Sequence, residues 1–311
     1  MPEILPALFI ELALTHLPYE VIISDDCSTD DSVSFLQKEY PAIKLIVSEK
    51  NCGFSITINK GIFETQYEYV LLLNSDVKLT ANYFAPLFRY FENEDCFGVM
   101  GRIIGWDDDE IQDGGKYPSY NLLKIKTSGN YLPTSPSKND LFLSMYLSGA
   151  NAFVSRSKLI ELNGFNEIFS PFYVEDFELS VRAWRLGYKC YYEHFAVARH
   201  KISVTIKSKN SKQFVRTIYY RNKMFLHAIH LQKATFYFWF VQNFLEVLFQ
   251  TIIGKTYYLK AFQLFIKEKN KWKQSRNEFE VLCSKKNKWF SIKNIMNEIT
   301  EQLNTKQIQK F

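Results

Sequence analysis

Tyr69-Val70-Leu71-Leu72-Leu73-Asn74-Ser75-Asp76 decides the fold. Five apolar residues in a row suit a strand buried on both faces, and they run straight into an amide, a hydroxyl and a carboxylate. Upstream the same design recurs. Glu20-Val21-Ile22-Ile23-Ser24 is a short apolar run ending in Asp25-Asp26, and Ile43-Lys44-Leu45-Ile46-Val47 is a second strand. Ser28, with Asp31 three residues on, resembles a helix N-cap, and Val33, Leu36 and Tyr40 follow at helical spacing. Asn51-Cys52-Gly53-Phe54 makes a turn, and Ile56 to Phe63 begins another helix. Strand, helix, strand, helix, strand predicts a parallel sheet with helices on its faces, and such sheets bind ligands beyond the carboxyl ends of their strands. Asp25, Asp26 and Asp76 all stand at such ends, around one crevice.

Downstream, Thr80–Phe91 reads as a helix, Phe97–Ile104 as a strand, and 106–136 as loops rich in Gly, Asp, Ser and Pro. An apolar run from Leu141 to Leu147 leads to Ser148-Gly149-Ala150-Asn151 and a strand at Ala152–Ser155. Ser157–Leu162 reads as a short helix stopped by Asn163-Gly164, Glu175–Leu186 as a helix closed by Gly187, and Tyr188–Tyr192 as a strand. After His200 the chain turns to long helical segments. The expected class is α/β, a mostly parallel sheet with helices on both faces, followed by a C-terminal helical region. Residues 1–230 form the first unit and 231–311 a basic, aromatic-rich helical tail.

The charge follows this division. The 311 residues carry a net +5, yet from Lys255 to Phe311 there are 13 Lys and Arg against 5 Asp and Glu, leaving the rest at −3. An acidic body with a basic tail argues against a nucleic-acid-binding core and suits a tail that meets an anionic surface such as a membrane. Between Lys233 and Lys255 lie 21 residues with one charge, Glu246. Gln242, Asn243, Glu246 and Gln250 line one helical face, and Phe240, Phe244, Val247, Leu248 and Ile252 the other. An interfacial amphipathic helix describes this better than a spanning one, and a core helix is the alternative. The five cysteines are scattered and form no Cys-x-x-Cys pair, which suits a reducing compartment. Ile4–Leu14 lacks a basic leader and is interrupted by Glu11, so a cytosolic setting is expected.

Three features carry chemistry. A carboxylate at a strand end with oxygen donors just before it, Asn74-Ser75-Asp76, suits a divalent cation that neutralises a diphosphate, the alternative being an N-cap for the following helix. Glu175-Asp176 opens a helix, where the macrodipole favours the anion and so a base ionised at neutral pH; a simple charge complement is the alternative. Glu178 with Arg182, four apart, reads as a structural pair. Asp107-Asp108-Asp109-Glu110 reads as a solvated loop, and His200, among basic residues, as either structural or a metal ligand.

These motifs, taken with Ser148-Gly149-Ala150, Asn163-Gly164-Phe165-Asn166-Glu167, Glu175-Asp176-Phe177-Glu178-Leu179, Arg182, Gly187-Tyr188 and His200, resemble family 2 glycosyltransferases of the GT-A fold, rhamnosyltransferase-like bacterial members among them. The resemblance covers roughly residues 1–225. It implies a metal-dependent, inverting transfer of a sugar from a UDP-, dTDP- or GDP-sugar to a hydroxyl of a glycan or lipid-linked acceptor, in surface polysaccharide synthesis at the inner face of the plasma membrane. By the same resemblance Asp25 and Asp26 contact the nucleotide base, Asn74 the ribose, and Asp76 and His200 bind Mg2+ or Mn2+. Asp176 is the general base, Glu175 orients it or the acceptor, and Ser148, Gly149 and Ala150 line the donor-sugar pocket. One departure is plain: the family opens with an apolar strand, whereas Met1-Pro2-Glu3-Ile4-Leu5 leads directly into the helix that follows that strand. A truncated reading frame is one expectation. A degenerate, non-catalytic homologue that scaffolds a polysaccharide-assembly complex is the other. A dehydrogenase is disfavoured, because no Gly-x-Gly-x-x-Gly follows the first visible strand.

Overall fold

The computed structural model describes residues 2–126, 129–201 and 211–311. Helix α1 (Ile4–Leu14) precedes a small parallel pair, β1 (Ile22–Asp25) and β2 (Lys44–Val47), joined through α2 (Ser32–Glu39). Ser28 lies outside α2, whose cap position is Asp31; the Ser28 N–H is taken instead by Asp25 Oδ2 at 2.9 Å. Helix α3 (Phe54–Glu64) lies so close on β1 that a Cβ on Gly61 would come within 2.7 Å of Ser24 Oγ.

Strand β3 (Tyr69–Leu73) forms as expected and edges a seven-stranded sheet. It is followed by β4 (Val77–Leu79), β5 (Cys96–Gly105), β6 (Ile111–Asp113), β7 (Gly115–Lys116), β8 (Tyr120–Asn121), β9 (Lys124–Ile125), β10 (Asn130–Pro133), β11 (Phe142–Leu143), β12 (Asn151–Ser155) and β13 (Lys189–His200). In the large sheet the order is β11-β13-β5-β12-β3, with β4 beside β13 and β6 beside β5. The α/β class holds, but the mostly parallel sheet is corrected to a mixed one. Only β1–β2 and β5–β13 are parallel, and β12 runs antiparallel to both neighbours, Asn151 opposite Leu73. The physical reason is the path between β5 and β12: it returns to the end of the sheet it left, and a parallel return needs a crossover to the far end. Phe153 of β12 packs edge-on or tilted against Tyr69, Phe84, Phe88 and Phe91 at 5.3–5.7 Å, an aromatic layer whose pairs are each worth about 0.5–1.5 kcal/mol beyond area burial.

Two local expectations change. No α-helix forms over 80–91, where turns lead to a 3-10 turn at Phe88–Glu92. Asn82 adopts a left-handed φ of 62°, and the buried Glu11 carboxylate takes the N–H groups of Asn82 and Tyr83 at 3.2 and 2.8 Å. The 106–136 loops contain the short strands β6 to β10. The stop at Asn163-Gly164 holds, both residues being left-handed at φ 58° and 61°.

Helices α4 (Arg156–Glu161) and α5 (Glu175–Arg185) complete the body. The helical remainder is α6 (Lys212–His230), α7 (Lys233–Ile252), α8 (Tyr257–Lys267), α9 (Lys269–Lys286) and α10 (Ile292–Asn304). It is stitched to the body: a final strand β14 (Ile308–Lys310) pairs with β10, and Arg185 of α5 lies over the rings of Phe279 and Trp289. Among the described residues no helix is long and apolar enough to cross a membrane.

Candidate functional site

The carboxyl ends of β3, β5 and β13 and the first residues of β12 lie along one edge of the large sheet, because β12 enters where β3 leaves. Asn74 N–H donates to Ala150 O at 3.2 Å, so the Ser148–Ala150 segment borders the Asn74–Asp76 turn. His200, the last residue of β13, stands opposite Val77 of β4, and its Nε2 lies 3.5 Å from Asp76 Oδ2. The two residues expected to hold a metal, 124 positions apart in the chain, are thus neighbours.

The donor set at that point fits a divalent cation. Asp76 Oδ1 is buried with no hydrogen-bond partner. His200 Nδ1 faces Gln112 Oε1 at 2.7 Å while Nε2 faces Asp76, and a cation between them would take the place of the Nε2 proton. The Asp76 carboxylate, as hydrogen-bond partner, raises the imidazole pKa. Among the described residues no three His, Cys, Asp or Glu side chains are grouped to hold a metal. A cation on Asp76 and His200 would therefore draw its other ligands from non-protein oxygens, as diphosphate-bound cations do.

Across the Ser148–Ala150 segment lies the start of α5. Gly149 N–H reaches Asp176 Oδ2 at 3.4 Å, and Phe177 N–H donates to Asp176 Oδ1 at 2.7 Å. For Glu175 the expectation of a carboxylate freely ionised at neutral pH is corrected here. Burial, then the charge of Asp176, pushes Glu175 up to about 8. Burial also raises Asp176, against the lowering pull of the Phe177 N–H and the Lys116 ammonium. A helix N-terminus is worth only about 0.3–1 kcal/mol on a carboxylate, and desolvation of a buried one exceeds that. Glu175 Oε2 is buried and without a partner, and the one backbone hydrogen bond that lowers the residue is outweighed. Both acids therefore hold their protons to higher pH than free carboxylates do.

The loop before α5 is held on two sides. Asp26 accepts from Cys52 N–H at 2.7 Å and Gly53 N–H at 2.9 Å, fixing the Asn51–Phe54 turn. Gly53, at φ 86°, presses on Pro171, where a Cβ would come within 2.5 Å of the proline Cα, and Phe54 N–H donates to Pro171 O. From the other side the buried Asn222 amide of α6 donates to the carbonyls of Phe169, Phe172 and Tyr173 at 2.6–3.0 Å. Between these braces Tyr173 and the β-branched Val174 both take φ 75°, a strained conformation that persists only where the surroundings impose it. Asp25 lies buried beside Asp26, one oxygen engaged by Ser28.

Sequence reasoning overlooked Gln112, Asp113 and Lys116. Lys116 is buried, paired with Asp113, 3.1 Å from Asn130 Oδ1, and 5.0 Å from the Tyr146 ring that packs on Phe177. A lysine in a Gly-rich loop reads as solvated, so only the polar spacing Gln112-Asp113-x-x-Lys116 on consecutive short strands could have marked it. The Asp107–Glu110 run is structural: Asp109 pairs with Arg199 and Asp108 caps the Glu110 N–H. Glu178 and Arg182 do pair, both buried, with Arg182 Nε 3.0 Å from either Glu178 oxygen.

The family model described as "Glycosyl transferase family 2" matches residues 3–162. An N-acetylglucosaminyl-diphospho-decaprenol L-rhamnosyltransferase of Mycobacterium tuberculosis is 24% identical over 219 residues, covering 61% of this chain and 69% of the relative. A Bacillus subtilis protein, TuaG, whose name assigns it provisionally to teichuronic acid biosynthesis as a glycosyltransferase, is 23% identical over 209 residues, 60% of this chain and 79% of the relative. Among solved structures, GalNAc-T7 with UDP, GalNAc and Mn2+ superposes over 93% of this chain with a TM-score of 0.61 at 14% identity. This chain spans about half, 52%, of that one, and the likeness shows a shared fold.

Proposed function

We propose a function from one premise: this chain belongs to glycosyl transferase family 2. It is a glycosyltransferase, and the reading that the site supports best is an inverting transfer from a nucleotide-sugar to a hydroxyl of a glycan or lipid-linked acceptor in surface polysaccharide synthesis. One observation carries it: the Asp76–His200 pair, with a buried unpartnered oxygen, and the Glu175–Asp176 pair meet on either side of the Ser148–Ala150 segment. The relatives support the substrate class, since one is named for a rhamnosyl transfer to a lipid diphosphate and a fold neighbour holds UDP and Mn2+.

In the proposed reaction the acceptor hydroxyl loses its proton to Asp176 as its oxygen attacks the anomeric carbon. The bond from that carbon to the diphosphate oxygen breaks on the opposite face, which inverts the centre. Glu175, the more readily protonated partner, donates a hydrogen bond that orients Asp176 or the acceptor. Lys116 favours the Asp176 anion. Asp76 and His200 would hold Mg2+ or Mn2+, which offsets charge on the leaving nucleoside diphosphate. Asn74 faces the ribose, Asp25 and Asp26 wall the nucleotide base, and Ser148, Gly149 and Ala150 flank the donor sugar. In domain terms residues 1–230 form the transferase unit and 231–311 a helical tail, and the setting is the cytoplasmic side of the plasma membrane with peripheral contact.

The test is release of nucleoside diphosphate from a panel of UDP-, dTDP- and GDP-sugars, with and without Mn2+. Turnover of at least one donor that needs the cation is expected. No turnover and no nucleotide binding with any donor would overturn the enzyme reading and leave the scaffold.

A further inference from the structure

Helix α7 is apolar on its inward and its outward side. Its buried residues are Trp239, Asn243 and Val247, and the polar row meant for solvent faces the protein. Gln242 Oε1 accepts from Leu123 N–H of the β8–β9 hairpin, and Glu246 pairs with Lys124 of the same hairpin. Outward lie Tyr237, Phe238, Val241, Leu245, Phe249 and Ile252, 58–83% exposed. At 100° per residue these fall within one arc, a stripe running roughly 22 Å along the helix axis. The inward side packs Trp239 and Val247 into the core, as the core-helix alternative has it, and the outward apolar arc is what that alternative leaves unexplained. The hairpin that holds α7 carries a further exposed side chain, Leu122 at 78%.

We propose that this face of α7 seats on an anionic lipid bilayer, lying in the interface with the rings entering the headgroup boundary. Three observations choose a bilayer over a second copy of the chain. The outward arc holds no charge, the helix's one acid being turned inward to Lys124. Exposed lysines, Lys233 and Lys255, stand at its two ends, and the residues beyond add a strong excess of positive charge. A two-fold pairing of this face on itself with the helices antiparallel would bring Lys233 of one copy toward Lys255 of the other, like charge on like, whereas anionic headgroups complement both ends. The inference deepens the peripheral contact named above and rests on it.

The experiment is co-sedimentation of the full chain with vesicles of phosphatidylcholine, with and without phosphatidylglycerol. Phe238→Glu and Phe249→Glu are each expected to weaken binding by about tenfold or more, since each removes one large buried ring from the bilayer. Lys233→Gln with Lys255→Gln is expected to weaken binding about tenfold on anionic vesicles only. All four side chains are exposed, so an unchanged unfolding midpoint checks that the variants fold. Binding that the Glu variants leave untouched overturns this surface while sparing membrane contact elsewhere. No vesicle binding by the parent chain overturns both. Self-association abolished by Phe238→Glu, with no vesicle binding, assigns the face to a second copy instead.

Discussion

Two acidic sites three residues apart on α5 behave oppositely. Glu175 and Glu178 are both buried, yet Glu175 is pushed up to about 8 while Glu178 is held below the usual carboxylate range. Burial pushes both up. At Glu178 the Arg182 guanidinium overcomes it, and His230, itself kept neutral by burial at a pKa down to about 4, adds a hydrogen bond to Oε1 at 3.1 Å. Glu175 has another carboxylate beside it and only a backbone hydrogen bond to lower it. The difference teaches that burial sets the cost and the partner decides whether a buried acid anchors the helix or stays reactive.

The largest expected effect lies on the reactive side. Asp176→Asn keeps the shape of the site and removes the proposed base, so kcat should fall by roughly 10²–10⁴ with nucleotide affinity nearly unchanged, read by coupled turnover and donor titration. Wild-type transfer rates persisting in this variant would break the comparison at its centre. Next comes the anchoring side. Glu178→Gln leaves Arg182 buried without its counter-charge, and the unfolding free energy should drop by about 3–5 kcal/mol by denaturant melts. Glu178, with its pKa lowered on folding, contributes stability above the unfolded value of about 4.3, and that contribution is lost as pH falls through its folded pKa. Glu175 has the opposite sign: with a raised folded pKa, its contribution is present below about 4.3 and lost as pH rises toward 8. Glu175→Gln, which imitates the protonated form, should therefore flatten the stability profile between those limits and gain about 1 kcal/mol or more over the parent at alkaline pH.

How much of this was readable follows from the range of each interaction. The Tyr69–Leu73 strand, its acidic exit and the Asn163-Gly164 stop are local, since a continuous apolar run and a left-handed turn announce themselves within ten residues. Strands of two or three residues such as β6 to β9 are too short to display a period, so Lys116 and its partners passed as loop. Over the expected 80–91 helix the chain makes turns instead, with Asn82 left-handed and its N–H and that of Tyr83 taken by Glu11, which no window around Thr80 contains. The role of Asn222 is equally remote, an α6 side chain holding carbonyls some 50 positions away.

By itself the sequence determined that strands end in acids, that α5 opens on two carboxylates, and that 233–252 is amphipathic. Each property depends on residue type and spacing alone. Only the tertiary structure decided that Asp76 meets His200, that desolvation outweighs the helix dipole at Glu175, and which face of α7 looks outward. Those outcomes depend on which groups lose their water and to whom, and a linear chain does not specify that until it has folded.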